Sequence, residues 1–212
     1  MKYNGMPAAM WVLYKKGFRK ALMTDLGYDL KEASDITRKA NKKYREIVIK
    51  LPEFEKKDRF KTNILSCAML IAYVDSMRRR PTVDELTPYY EHAMTNAITK
   101  KICKKGGRRK FTSKDVEGMK FTAALRAGDR NPYSWNMDYL PYTDGSGYEA
   151  RFYQCGICTL MREYGMFDLV PAMCHLDYVM SDLGGATVFV REYTLASGGP
   201  YCDCGYKKVR KG

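Results

Sequence analysis

Apolar residues recur at helical spacing through the first half of the chain and give way to short alternating runs after Pro132, so the pattern predicts two textures. Met10, Leu13, Phe18, Leu22 and Leu26 mark a first helix that stops near Gly27. Asp29 is placed to cap a second, reaching about Ile49 and ended by Leu51-Pro52. A third, from Asp58 to Met77, is apolar on nearly every side through Phe60, Ile64, Leu65, Met69, Leu70 and Val74, the pattern of a core helix. Thr82 and Glu85 form a capping box just after Pro81 and launch a fourth helix toward Cys103. Gly106-Gly107 breaks the chain, and Thr112 or Ser113 caps a further helix ending at Gly128.

Beyond Pro132, the aromatic-rich segments Trp135–Tyr139 and Tyr148–Gln154 flank TDGSG and predict a hairpin. Two helices follow, Gly156–Tyr164 and Leu169–Asp182, split at Gly165 and closed by Gly184-Gly185. The segment Ala186–Leu195 (ATVFVREYTL) is the clearest strand and pairs with Tyr201–Val209 across SGGP. The expected class is α+β: a helical N-terminal half packed on a C-terminal β-β-α-α-β-β antiparallel sheet unit. The organisation is read as a helical region over 1–130 and an α+β region over 131–212, or as one continuous domain.

Composition narrows the classes. The 212 residues, 45% hydrophobic and 29% charged, suit a globular chain with a sizeable core. The longest apolar stretch, Ile64 to Val74, falls short of the ~18 residues a membrane span requires. No membrane partner and no secretory segment are expected, and seven cysteines without an export signal read as reduced thiols in the cytoplasm. The formal net charge of +13 resides in residues 1–110 and in the tail, and peaks at KKICKKGGRRK. Aromatics are not interleaved with those lysines and no nucleic-acid-binding motif is present, so a solvated basic face is expected rather than a nucleic-acid partner. A homo-oligomer stays open.

Five of the seven cysteines fall within the last third: Cys155, Cys158, Cys174, Cys202 and Cys204. Cys174 and Asp177 are three apart and share a helix face. Cys155 stands at the start of its helix, where the macrodipole favours a thiolate. On a regular strand Cys202 and Cys204 point to one side and Asp203 to the other, so either the thiols or the carboxylate face a pocket. Cys67, Cys103, Cys158 and Cys204 are expected to be buried small hydrophobes. A zinc ion held by C-x-x-C with C-x-C is the alternative. It meets a spacing problem: alternate strand residues stand about 6.5 Å apart, whereas sulfurs on one tetrahedral zinc lie within about 4 Å. No cofactor is otherwise expected. His175 lies about 100° round its helix from Cys174, and His92 has no partner suggested by sequence, so acid–base work falls to Asp177 or Asp203.

These residues carry a resemblance. Phe152 to Cys155 (F-x-x-C), Pro171 to Asp177 (P-x-x-C-x-x-D), and Arg191 to Gly199 (R-x-x-T-L-A-x-G-G) followed by Cys202-Asp203 resemble the L-2-amino-thiazoline-4-carboxylic acid hydrolase family. The likeness is specific over about 148–206 and diffuse before it. Where the family ends C-D-F, this chain has Cys202-Asp203-Cys204-Gly205. The resemblance implies hydrolytic opening of a thiazoline ring to a carbamoyl-cysteine, with a small-molecule substrate. It implicates the positions Cys155, Cys174, Asp177, Cys202 and Asp203, not their roles; we read them as the catalytic set, with Cys155 or Cys174 as the nucleophile and Asp177 orienting or deprotonating. Arg191, Arg151 and Thr194 are the expected substrate-binding residues. A non-catalytic metal- or small-ligand-binding sensor domain is the competing class.

Overall fold

The computed structural model describes residues 1–55, 58–128 and 130–209. Among them lie eight α-helices and a four-stranded antiparallel sheet, in the order α1 (Met6–Thr24), α2 (Leu30–Lys50), α3 (Lys61–Ser76), α4 (Val83–Met94), α5 (Ala97–Gly107), α6 (Ser113–Ala127), β1 (Met137–Pro141), β2 (Gly147–Phe152), α7 (Gly156–Glu163), α8 (Val170–Gly184), β3 (Thr187–Val190) and β4 (Cys202–Lys208). The α+β class is therefore correct. No helix among the described residues is long and apolar enough to cross a membrane. Arg210 and Lys211, half of the basic tail, lie outside the described residues.

Two compact units emerge. The first comprises Met1–Asn96 and Ile157–His175, the second Ala97–Gly156 and Leu176–Gly212.

The helical unit is built on α1 to α4, and its helix starts are local decisions. Asp29 accepts from the Glu32 amide while the Glu32 carboxylate reaches back to the Asp29 amide, and Thr82 and Glu85 do the same at α4. Helix α3 is buried from Ile64 through Val74, as an all-round apolar helix must be. It starts later than its pattern predicts, because the Asp58 carboxylate accepts from the Phe60 amide and holds the preceding residues in a turn. Phe18, fully buried, stacks on Tyr73 with ring centroids 4.6 Å apart, and Trp11 stacks on both Tyr44 and Tyr73. Helices α1 and α4 cross at Gly17, where a Cβ would sit 2.4 Å from the Ala93 carbonyl oxygen. Gly17→Ala is expected to cost about 1–3 kcal/mol of stability through this overpacking, measurable as a lower urea midpoint.

The single helix expected from Thr82 toward Cys103 is instead two. Thr95 leaves helical geometry (ψ 49°) while its amide still closes on Glu91, and the Asn96 side chain donates to the Leu13 carbonyl. A tertiary hydrogen bond thus ends α4 where no glycine or proline signals it. Both histidines pair with carboxylates in this unit: His92 with Asp25 at 2.9 Å and His175 with Glu91 at 3.3 Å.

In the second unit the sheet runs β1-β2-β4-β3, with every pair antiparallel. The last strand in sequence is therefore central. Helix α5 turns Cys103 onto Met180 of α8, at 3.3 Å, and leaves Lys100, Lys101, Lys104 and Lys105 in solvent. Thr112 is the N-cap of α6, accepting from the Asp115 amide. Tyr139, Tyr148, Tyr206 and Phe189 form a chain of ring contacts across the four strands, continued by Tyr178 of α8. Such cross-strand aromatic pairs hold a small sheet together.

Strand β3 is far shorter than the ten residues its apolar alternation predicts. It leaves the ladder after Val190, which pairs with Gly205. A Cβ on Gly205 would lie 2.4 Å from the Tyr142 hydroxyl and 2.7 Å from Val190 Cγ2, so a larger residue there would have to displace those side chains. From Arg191 onward the chain takes its hydrogen bonds from side chains rather than from a neighbouring strand.

Candidate active site

The residues that gather do so in the second unit, on one face of β4. Directly opposed residues of an antiparallel pair share a face. Cys202 and Cys204, opposite Phe152 and Ala150, therefore point one way, while Asp203, opposite Arg151, points the other.

On the thiol face, Arg191 Nη1 donates to Asp177 Oδ2 at 2.8 Å. The arginine side chain is 7% exposed and the aspartate 47%. The guanidinium lies 5.2 Å from the ring centres of both Tyr178 and Phe189, so aromatic faces help hold its charge. It also hydrogen-bonds the Cys204 thiol. The Asp177 carboxyl is pushed above the usual aspartate range. Burial is the largest cause and outweighs the charge and hydrogen bond of Arg191, both of which act to lower it. Asp177 is thus a solvent-reachable carboxyl with a raised pKa, which suits a proton-transfer group.

The thiols divide by environment. Cys204 is buried, and its pKa is driven far up by that burial and then by the Asp177 charge, so it stays a neutral thiol. Burial also raises Cys202. The Leu195 amide, donating to its sulfur at 3.2 Å, works against that, and the charges of Cys155 and Asp177 reinforce it. Those interactions put Cys155 in the same neighbourhood as Cys202 and Asp177. Cys155 immediately precedes α7. Cys174 stands one turn before Asp177 on α8 and belongs to the helical unit. All seven cysteines are free. Cys67, Cys158 and Cys204 are buried as expected, whereas Cys103, also expected to be buried, is only half-buried, and partial burial raises its thiol pKa. Among the described residues, no group of three or more His, Cys, Asp and Glu side chains is placed to hold a metal ion.

The opposite face of the sheet has a different character. Arg151 Nε donates to Glu149 at 2.6 Å, and the guanidinium lies 4.3 Å above the Tyr201 ring. Tyr201 in turn meets Tyr153 and Tyr193 edge-on. The two Asp203 carboxylate oxygens accept from the backbone amides of Glu192, at 2.9 Å, and Tyr193, at 2.6 Å. Thr194 caps the short 3₁₀ turn Leu195–Ser197, accepting from the Ser197 amide at 3.0 Å. The structure therefore brings together Cys155, Asp177, Arg191 and Cys202, and it places Arg151, Asp203 and Thr194 in other hydrogen-bond networks.

Sequence reasoning missed that Arg191 and Asp177 are partners and that Cys204, expected to be a mere hydrophobe, lies against both. The alternation of β4 hinted at the second point. Nothing in a 14-residue separation across a turn hinted at the first.

No curated protein and no solved structure matches the chain. A family model described as L-2-amino-thiazoline-4-carboxylic acid hydrolase matches residues 59–206, a span that includes Cys155, Asp177, Arg191, Cys202 and Cys204. Matched over well more than half its length, the chain belongs to the L-2-amino-thiazoline-4-carboxylic acid hydrolase family.

Proposed function

We propose that the protein hydrolyses a small cyclic isothiourea, such as 2-amino-thiazoline-4-carboxylate, to a carbamoyl-cysteine. The observation that carries this reading is the Arg191–Asp177 pair set beside neutral Cys202 and Cys204, with Cys155 in electrostatic contact with the same cluster.

The substrate's reacting carbon, C2, bears one sulfur and two nitrogens. Protonated, the N–C–N unit is a planar cation that matches a carboxylate in charge and shape, which suits Asp177. The substrate carboxylate needs a cation, which Arg191 supplies. Cys155 is the nucleophile, because burial holds Cys202 and Cys204 as thiols, whereas Cys155 stands at the head of α7 with Asp177 as the base that generates its thiolate. Asp177 takes the Cys155 proton as sulfur bonds to C2. As the C2–S bond of the ring breaks, Asp177 returns that proton to the departing ring sulfur. Water, deprotonated by Asp177, then attacks C2 and expels the Cys155 sulfur, which takes the proton back from Asp177, so that both side chains return to their starting states. The net change is addition of one water, with a free thiol appearing in the product.

The purified protein incubated with L-2-amino-thiazoline-4-carboxylate should therefore generate one new titratable thiol per substrate consumed. The product should be heavier than substrate by one water in mass spectrometry. Neither a new thiol nor ring opening over a long incubation would sink the reading.

A further inference from the structure

Arg191 is the first residue after the chain leaves the sheet, yet it must hold its guanidinium on Asp177. The β3–β4 ladder ends at Val190, and continued pairing would set Arg191 opposite Cys204 and Glu192 opposite Asp203. Backbone carbonyls of β4 do not take over there; its side chains do. Asp203 accepts from two successive amides, Glu192 and Tyr193, and Cys202 sulfur accepts from the Leu195 amide. The turn is closed further on by Thr194, whose carbonyl accepts from the Gly199 amide at 2.9 Å. Arg191 is thus fixed from both sides, by the ladder before it and by the Asp203 carboxylate after it.

We propose that Asp203 is a positioning residue, whose carboxylate anchors the Glu192 and Tyr193 amides and thereby holds Arg191 against Asp177, rather than a group that transfers protons to substrate. A carboxylate does this better than any neutral side chain, since it offers two acceptors to two adjacent N–H groups and both bonds are charge-assisted. With both acceptors engaged and its side chain on the sheet face opposite the thiols, Asp203 does not aim at the reacting atoms. Its catalytic consequence rests on the function proposed above, while its anchoring of the loop does not.

The test pairs a structural readout with a kinetic one, on the full-length protein. In Asp203→Ala, hydrogen exchange at the Glu192 and Tyr193 amides should be about tenfold faster, with exchange in α1 to α4 unchanged. Turnover of 2-amino-thiazoline-4-carboxylate should fall about 100-fold, the scale of a misplaced binding group. Asp203→Asn keeps one acceptor oxygen and should fall between wild type and Asp203→Ala in both readouts. Because a displaced Arg191 no longer holds the Asp177 pKa down, the acid limb of the rate should move toward neutrality in Asp203→Ala, and less so in Asp203→Asn, without disappearing. In an Arg191→Ala background the alanine at 203 should cost little more, because the two residues act as one unit. Unchanged amide exchange in Asp203→Ala would overturn the anchoring. Equal loss in the two variants together with disappearance of a pH limb would overturn the positioning role in favour of proton transfer. Faster exchange in a protein that turns over no thiazoline would leave the anchor standing and remove only the proposed reaction.

Discussion

Cys155→Ala is expected to lower kcat/KM for thiazoline opening by about ten-thousand-fold or more, the loss typical of removing a covalent nucleophile. The three thiols of the cluster differ in environment. Cys204 and Cys202 are both held as thiols, chiefly by burial, and Cys202 feels the Cys155 charge as a further upward push. Cys155 immediately precedes α7, and the free N–H groups at a helix start favour an anionic sulfur. Iodoacetamide near neutral pH should modify Cys155 ahead of the other six and inactivate the protein in step. Serine at 155 should be nearly as inactive as alanine, since a hydroxyl at neutral pH lacks the anionic form. Full activity in Cys155→Ser would remove Cys155 as the nucleophile.

The second large effect concerns Asp177. Asp177→Asn should reduce kcat by about 10²–10⁴-fold, the usual contribution of a positioned acid–base group. The pH dependence gives the sharper readout. Because Asp177 must begin as a carboxylate, activity falls as pH drops through its pKa. That pKa lies above the ordinary aspartate range, so the acid limb of the rate should appear at higher pH than a surface aspartate would give. Asp177→Asn should abolish this limb. Arg191→Gln removes an influence that lowers the Asp177 pKa, so it should move the limb further toward neutrality while also weakening substrate binding. A limb that stays put in Arg191→Gln would mean that another group sets it.

The helical unit was largely legible because its decisive signals are local. Asp29 with Glu32, Thr82 with Glu85, and the unbroken apolar surface of Ile64–Val74 each act within a few residues. Where sequence reading failed, a distant group had replaced a local one. The Leu13 carbonyl, from α1, engages Asn96 where α4 gives way to α5, and the Asp203 side chain captures the amides that would have extended β3. Alternation along VREYTL gives no warning that a carboxylate ten residues later competes for its backbone. The site shows the same division. The residues of the thiol cluster are conspicuous as cysteines and motif positions, and the opposite orientations of Cys202 and Asp203 follow from strand geometry. The pairing of Arg191 with Asp177 depends on where β3 ends, and β3 ends for a tertiary reason.

Strand β4 serves two chemistries by simple alternation: thiols toward Asp177 and Arg191, and a carboxylate toward the loop it tethers. Its spacing is therefore as consequential as its composition. Loss or gain of a single residue between Tyr201 and Gly205 would turn the strand by half a period, presenting Asp203 to the acidic Asp177 and leaving the Glu192 and Tyr193 amides facing sulfur. In homologous chains this stretch should accept exchanges of side chain far more readily than any change of length, and a protein in which the count differs should be read as having given up the reaction.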